Sequence, residues 1–149
     1  MVQLGNVAYE RFNDAKKEGK AEEELLKHLN AAVDYYQQAL ALLPPDAVDD
    51  LAVTHAVLGN IYGEVKDWDK CLYYCNESIK YYETEGNEFW AGNIRKNVAV
   101  WLAQNGRFTD ALLYARAALR NFESYGGRAK DMEDRAKEVI AAIEGLMKK

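Results

Sequence analysis

The chain contains a near-copy of one of its own segments. Lys66–Asn87, KDWDKCLYYCNESIKYYETEGN, returns forty residues later as Gly106–Gly127, GRFTDALLYARAALRNFESYGG. Leu72 falls on Leu112, Tyr74 on Tyr114, Glu83 on Glu123 and Gly86 on Gly126, while Trp68/Phe108, Ile79/Leu119, Lys80/Arg120 and Tyr82/Phe122 exchange like for like. Cys71, Cys75 and Ser78 fall on Ala111, Ala115 and Ala118. Positions four and seven apart share one helical face, so both copies present a low surface that another helix backbone can approach closely. A unit of this length cannot bury its apolar face alone. A fixed period therefore predicts helical hairpins stacked side by side.

Read in order, the chain supplies seven helical patterns. Leu4, Val7, Ala8, Phe12 and Ala15 recur at helical spacing from Val2 to about Glu18, with Gly19 as a stop. A second helix begins at Ala21, carries Leu25, Leu29, Ala32, Tyr36, Ala39 and Leu43, and ends at Pro44-Pro45, because proline lacks the N–H and restricts the residue before it. Asp46 is expected to cap the third helix, with Asp49 and Asp50 in its positively polarised first turn. Asp67 or Asp69 starts the fourth, Gly86-Asn87 ends it, and a fifth runs from about Glu88 to Gln104. A sixth spans Phe108 to about Ser124. The apolar stripe Met132, Ala136, Val139, Ile140, Ile143 and Met147 then forms a terminal capping helix, which a stack needs to cover its last apolar face. The chain is thus one domain, with an atypically long hairpin over 1–45, repeats over 46–87 and 88–127, and a cap over 128–149.

Composition narrows the function. Hydrophobic residues are 49% and charged residues 29% of 149, with only two prolines, which suits a globular helical chain. A net charge of -5 lacks the basic footprint with which proteins displace counterions from nucleic acid, so no nucleic-acid partner is expected. Apolar runs such as Ala39–Leu43 are far below the roughly twenty residues of a membrane helix, and the first residues lack a signal-peptide layout. The expectation is a cytoplasmic chain with no membrane partner. Cys71 and Cys75 share one helical face and read as reduced core residues, since neither His28 nor His55 stands at a zinc-ligand spacing. There is no G-x-S-x-G, H-E-x-x-H or phosphate loop, so neither enzyme, metal nor cofactor is expected. A Cys71–His55 dyad is the one nucleophilic alternative.

Leu58-Gly59-Asn60-Ile61-Tyr62, followed by Cys71, Cys75 and Ser78, and Val98, Ala99, Leu102, followed by Ala111, Ala115 and Ala118, resemble the tetratricopeptide repeat (TPR) in a longer, roughly forty-residue form similar to bacterial and scaffold-type members. The likeness covers Asp46 to Gly127. Leu4-Gly5-Asn6-Val7 with Ala32, Tyr36, Ala39 and Pro44 extends it to the first hairpin, although Gly5 to Ala32 spans 27 positions where Gly59 to Cys71 spans 12. The resemblance implies an all-α, right-handed α-α superhelix of about three hairpins plus a C-terminal cap. It also implies a concave groove, lined by the first helix of each pair, that binds a protein or peptide. Family groove positions select Asn6, Asn60, Glu64, Asn93, Lys96 and Gln104 here, with Arg95 and Asn97 as neighbours. Asparagine amides donate and accept, as a peptide backbone requires, and Lys96 can meet a carboxylate. Related bacterial repeats sit in multidomain signalling or defence proteins, which implies an adaptor or a detached domain of such an assembly. The alternative is a structural, self-associating solenoid. In it a homodimer forms through the long first hairpin or the Met132–Met147 stripe.

Overall fold

The computed structural model describes residues 2–149. Seven helices follow one another: α1 (Val2–Lys17), α2 (Glu22–Leu42), α3 (Val48–Glu64), α4 (Trp68–Thr84), α5 (Glu88–Gln104), α6 (Phe108–Glu123) and α7 (Lys130–Met147), with no strand among the described residues. Three-residue turns separate α3 from α4, α4 from α5 and α5 from α6. Connections this short force consecutive helices to lie antiparallel and in contact. The fold is therefore an all-α stack of hairpins closed by α7.

The turns are built alike. The N–H of Asp67, Asn87 and Arg107 reaches back to the carbonyl of Tyr62, Tyr82 and Leu102 at 2.9, 2.8 and 2.9 Å, while the residue before each bonds three positions back. This is a Schellman closure, which needs one residue in the left-handed region. Gly86 and Gly106 supply it at φ 72° and 77°, whereas Lys66 adopts φ 62° without being glycine. Asp67 and Asn87 then cap the next helices, accepting from the N–H of Lys70 and Trp90. Asp46 does not act as a cap. The Ala47 N–H closes a turn on the Pro44 carbonyl, and the Ala47 carbonyl takes the first helical bond, so Ala47 occupies the cap position without a side-chain acceptor. Leu43, held extended before Pro44, ends α2 as expected.

The aligned small residues meet neighbouring helices. Cys71, Cys75, Ala111, Ala115 and Ala118 are all at most 1% exposed, and Ser78 donates to the Ala52 carbonyl of α3 at 2.7 Å. A Cβ placed on Gly59 would lie 2.4 Å from Cys75 Sγ, and one on Gly5 would lie 2.7 Å from the Tyr36 ring. Gly5 thus faces Tyr36 as Gly59 faces Cys75, which sets the register between the first two hairpins. In that register α1 runs 12 residues beyond its glycine where α3 runs 5, and α2 runs 10 residues before Ala32 where α4 runs 3 before Cys71. Each helix of the first hairpin gains two turns, so its tip extends roughly 10 Å farther than that of the second hairpin.

The core falls into three adjoining clusters. Phe12, Leu29, Tyr36, Leu58 and Ile61 join α1 and α2 to α3. A central cluster around Cys75, Ile94, Val98, Leu102 and Ile143 joins α3 to α7, and Ala118, Phe122, Ala129 and Ala136 close the last hairpin. Leu4 and Val7, expected inside, are 47% and 45% exposed. The neighbours of α1 in this chain cover the stripe Gly5, Ala8, Phe12 and Ala15 instead, one residue round the helix. Tyrosine pairs divide as their helical offset requires. Tyr36 and Tyr82 are buried while Tyr73 is 58% exposed. The outward face of α7 carries exposed Lys130, Asp134, Lys137, Glu144 and Lys148, a charged surface suited to ending a stack.

Candidate functional site: a groove along the odd-numbered helices

One face of the stack is indented, and its walls come from α1, α3, α5 and α7. The central cavity, about 660 Å³, is lined by Tyr9 from α1, Asn60 and Glu64 from α3, Lys96, Asn97, Val100 and Trp101 from α5, and Arg135, Glu138 and Val139 from α7. A second cavity of about 380 Å³ adjoins it through Tyr9 and Asn60 and adds Asn6, Glu10, Tyr36 and Val57. A third, of about 460 Å³, shares Glu64 and Trp101 and adds Gly63, Lys66, Trp68, Gln104 and Asn105. Shared wall residues make these three hollows one continuous groove.

Its side chains are partly held in place. Tyr9 donates to Glu64 at 2.6 Å across the gap between α1 and α3, and Lys16 stands 3.9 Å from the same carboxylate. Burial and then that acceptor push the Tyr9 phenol well above its ordinary value, so it stays a donor. Tyr36 donates to Asn6 Oδ1 at 2.5 Å, which commits that oxygen and holds Asn6 in the wall of the adjoining cavity. Burial, followed by the Arg135 guanidinium, lowers Lys96 from the usual lysine range.

Of the residues selected from sequence, Asn60, Glu64 and Lys96 share the central cavity, Asn6 lines the cavity on one side and Gln104 the one on the other. Asn93 lines none of the three. Arg95 points the other way, bonded to Glu83 of α4 and to Asn121 of α6, whose amide also donates to Glu88. Asn97, two residues on, is the one of that pair that reaches the groove. Sequence reasoning missed Tyr9, Arg135 and Glu138. In the hairpin register Tyr9 corresponds to Gly63 of α3, which has no side chain, so the repeat offered no counterpart that pointed to it. The signal for α7 lay in its order, because a helix following three complete hairpins takes the place of the first helix of another pair.

The residues considered for catalysis lie elsewhere. His55 Nδ1 donates to the Leu51 carbonyl at 2.7 Å, and its ring packs 5.9 and 5.3 Å from the rings of Tyr74 and Tyr81. Cys71 and Cys75 are each 1% exposed. A hydrogen bond with Cys71, then burial, pushes the Cys75 thiol upward, away from the thiolate a nucleophile needs. No helix is long and apolar enough to cross a membrane among the described residues.

The architecture and the groove define a class, an all-α hairpin stack with an indented face lined by alternate helices. No family model matches the chain, and no curated protein matches it. Among solved structures, the crystal structure of BtubC (BKLC) from P. vanneervenii is similar to it with a TM-score of 0.54 at 17% identity, covering 97% of this chain and 73% of that one. At that identity the likeness is one of fold.

Proposed function

We propose that this chain is a TPR-like, non-enzymatic interaction module that binds a peptide or a partner domain in the groove along α1, α3, α5 and α7, in the manner of an adaptor. The observation that carries the reading is the continuity of the three hollows, which together offer a path along the stack lined by amides, charges and half-buried aromatics. Such a lining suits an extended chain, because amides satisfy a peptide backbone while the pockets between them take side chains. A cytoplasmic setting accords with the free, buried cysteines. Capture of partners by the wild-type chain, compared with the Asn60→Ala/Lys96→Ala variant at equal helix content, tests this. The variant is expected to lose the partners, and equal recovery would remove the groove from consideration.

A second reading rests on a different surface. Leu113, Leu146 and Met147 are 62%, 42% and 48% exposed around the α6–α7 end, where a cavity of about 380 Å³ opens beside Leu112. A self-associating solenoid would cover these residues with a second copy. Sedimentation against concentration separates the two, since a dimer that Leu113→Glu dissociates belongs to this reading and a monomer belongs to the first.

A further inference from the structure

The two ends of the stack are finished differently. In the register fixed by Gly5 and Gly59, Leu4 and Val7 of α1 correspond to Leu58 and Ile61 of α3, and Tyr35 of α2 corresponds to Tyr74 of α4. Leu58 and Ile61 are 0% and 1% exposed because the preceding hairpin covers them, in one cluster with Phe12 and Tyr36. The Tyr74 hydroxyl likewise accepts from Gln37 of the preceding hairpin at 2.6 Å. Leu4 and Val7 have no such cover and stand 47% and 45% exposed. Tyr9 and Gln37 point into the stack, to Glu64 of α3 and Tyr74 of α4. Val7 and Tyr35 each lie two residues before one of them, about 200° round the helix, and so face the open end together. That end repeats a surface which the chain itself buries one hairpin later.

We infer that this end pairs with the same end of a second copy, α1 and α2 against their counterparts about a two-fold axis, to form a homodimer. The pairing uses neither the groove nor the α6–α7 end, so it stands apart from both readings above. What the molecule offers decides the occupant. The opposite end of the stack is closed by α7, whose outward face carries Lys130, Asp134, Lys137 and Lys148. A copy stacked head to tail would lay Leu4 and Val7 on those charges and strip them of water. A copy meeting end to like end lays apolar side chains on apolar ones, and the contact closes after two chains because both use the same patch. Charge agrees with this. Arg11, Lys27, Asp14 and Asp34 are exposed on the same two helices, and none takes part in an ion pair among the described residues. Two cations and two acids let the patch meet itself without the repulsion that a net charge of -5 sets between whole chains. Asn6, Tyr9 and Glu10 turn another side of α1 to the groove, which stays open in the dimer.

The test is sedimentation equilibrium over a concentration series on wild type, Leu4→Glu/Val7→Glu and Leu113→Glu, with helix content compared by circular dichroism. Wild type is expected to pass from monomer to dimer and no further. Leu4→Glu/Val7→Glu should raise the dissociation constant by about a hundredfold or more, because carboxylates from both copies would meet in one apolar contact, and Leu113→Glu should leave it unchanged. Val7→Cys reads the same contact without a new charge, should the double variant lose helix. A short bismaleimide is expected to link two copies of it, while Cys71 and Cys75 stay buried and unlinked. A monomer at every concentration up to about 0.5 mM would overturn the inference. So would a dimer that Leu113→Glu dissociates and Leu4→Glu/Val7→Glu does not. Mixed links between Val7→Cys and Lys137→Cys chains would overturn it too, since they would mark a head-to-tail assembly.

Discussion

Single positions show where side chains are forbidden, tolerated or missing. A methyl on Gly59 would meet Cys75 Sγ at 2.4 Å and the Cys75 backbone nitrogen at 3.2 Å, and the backbone atom cannot swing aside. Gly59→Ala is expected to lower stability by about 1–3 kcal/mol in spite of alanine's better helix propensity. Gly145, inside α7 with nothing within 4 Å of its Cβ position, is the control, and Gly145→Ala should gain roughly 0.5–1 kcal/mol. Denaturant midpoints at unchanged m-values check both, and equal signs would mean that the hairpin register is wrong. Lys66 offers a gain of another kind, since it holds φ 62° in the turn position that glycine fills at 86 and 106. Left-handed backbone costs a side-chain-bearing residue about 1–2 kcal/mol, and glycine's extra freedom in the unfolded chain returns part of that. Lys66→Gly should raise the thermal midpoint by the equivalent of roughly 0.5–1 kcal/mol in a calorimetric scan.

Between elements, phenols help tie the first hairpin, Tyr9 to Glu64 of α3 and Tyr36 to Asn6 within the hairpin. Burial, then the charge of Glu10, pushes Tyr36 up to about 12 from its ordinary value of 10.0, and Tyr9 is raised as well. A phenol raised in the folded state holds its proton there after the unfolded chain has released it. Its contribution is therefore full below pH 10 and is lost as pH climbs through about 12. Stability measured by urea unfolding should fall steadily between those limits, and Tyr36→Phe should flatten the fall; an unchanged slope would acquit Tyr36. The element boundaries were legible in the sequence because turn chemistry is local. Gly86-Asn87, Gly106 and Pro44 each act on their own neighbours. Asp46 and the Leu4/Val7 stripe were misjudged for the opposite reason, since a turn closing on Ala47 and the choice of covered face on α1 depend on contacts that helical spacing alone does not specify.

Across the whole molecule, the forty-residue period made the stack legible, and the groove followed from it only in part. Asn60, Glu64 and Lys96 could be placed because the repeat orients α3 and α5 alike, but Tyr9 and Arg135 come from the two outermost odd helices, which lie outside the clear repeat. Their approach to the centre depends on curvature summed over the stack, a property carried by no single unit. The same arrangement governs how the chain comes apart. The first core cluster touches the central one through Tyr62, and the last lies beyond it, so disruption at one end has few routes to the other. Phe12, 6% exposed in the first cluster, is the place to apply it. Phe12→Ala removes about 3–5 kcal/mol of local packing, comparable to the margin of many whole domains. Hydrogen exchange followed by mass spectrometry should then show α1 and α2 exposed while amides of α5, α6 and α7 keep their wild-type protection. Simultaneous loss of protection in all seven helices would mean that the chain unfolds as one indivisible unit, and the nearest-neighbour description of its stability would have to be abandoned.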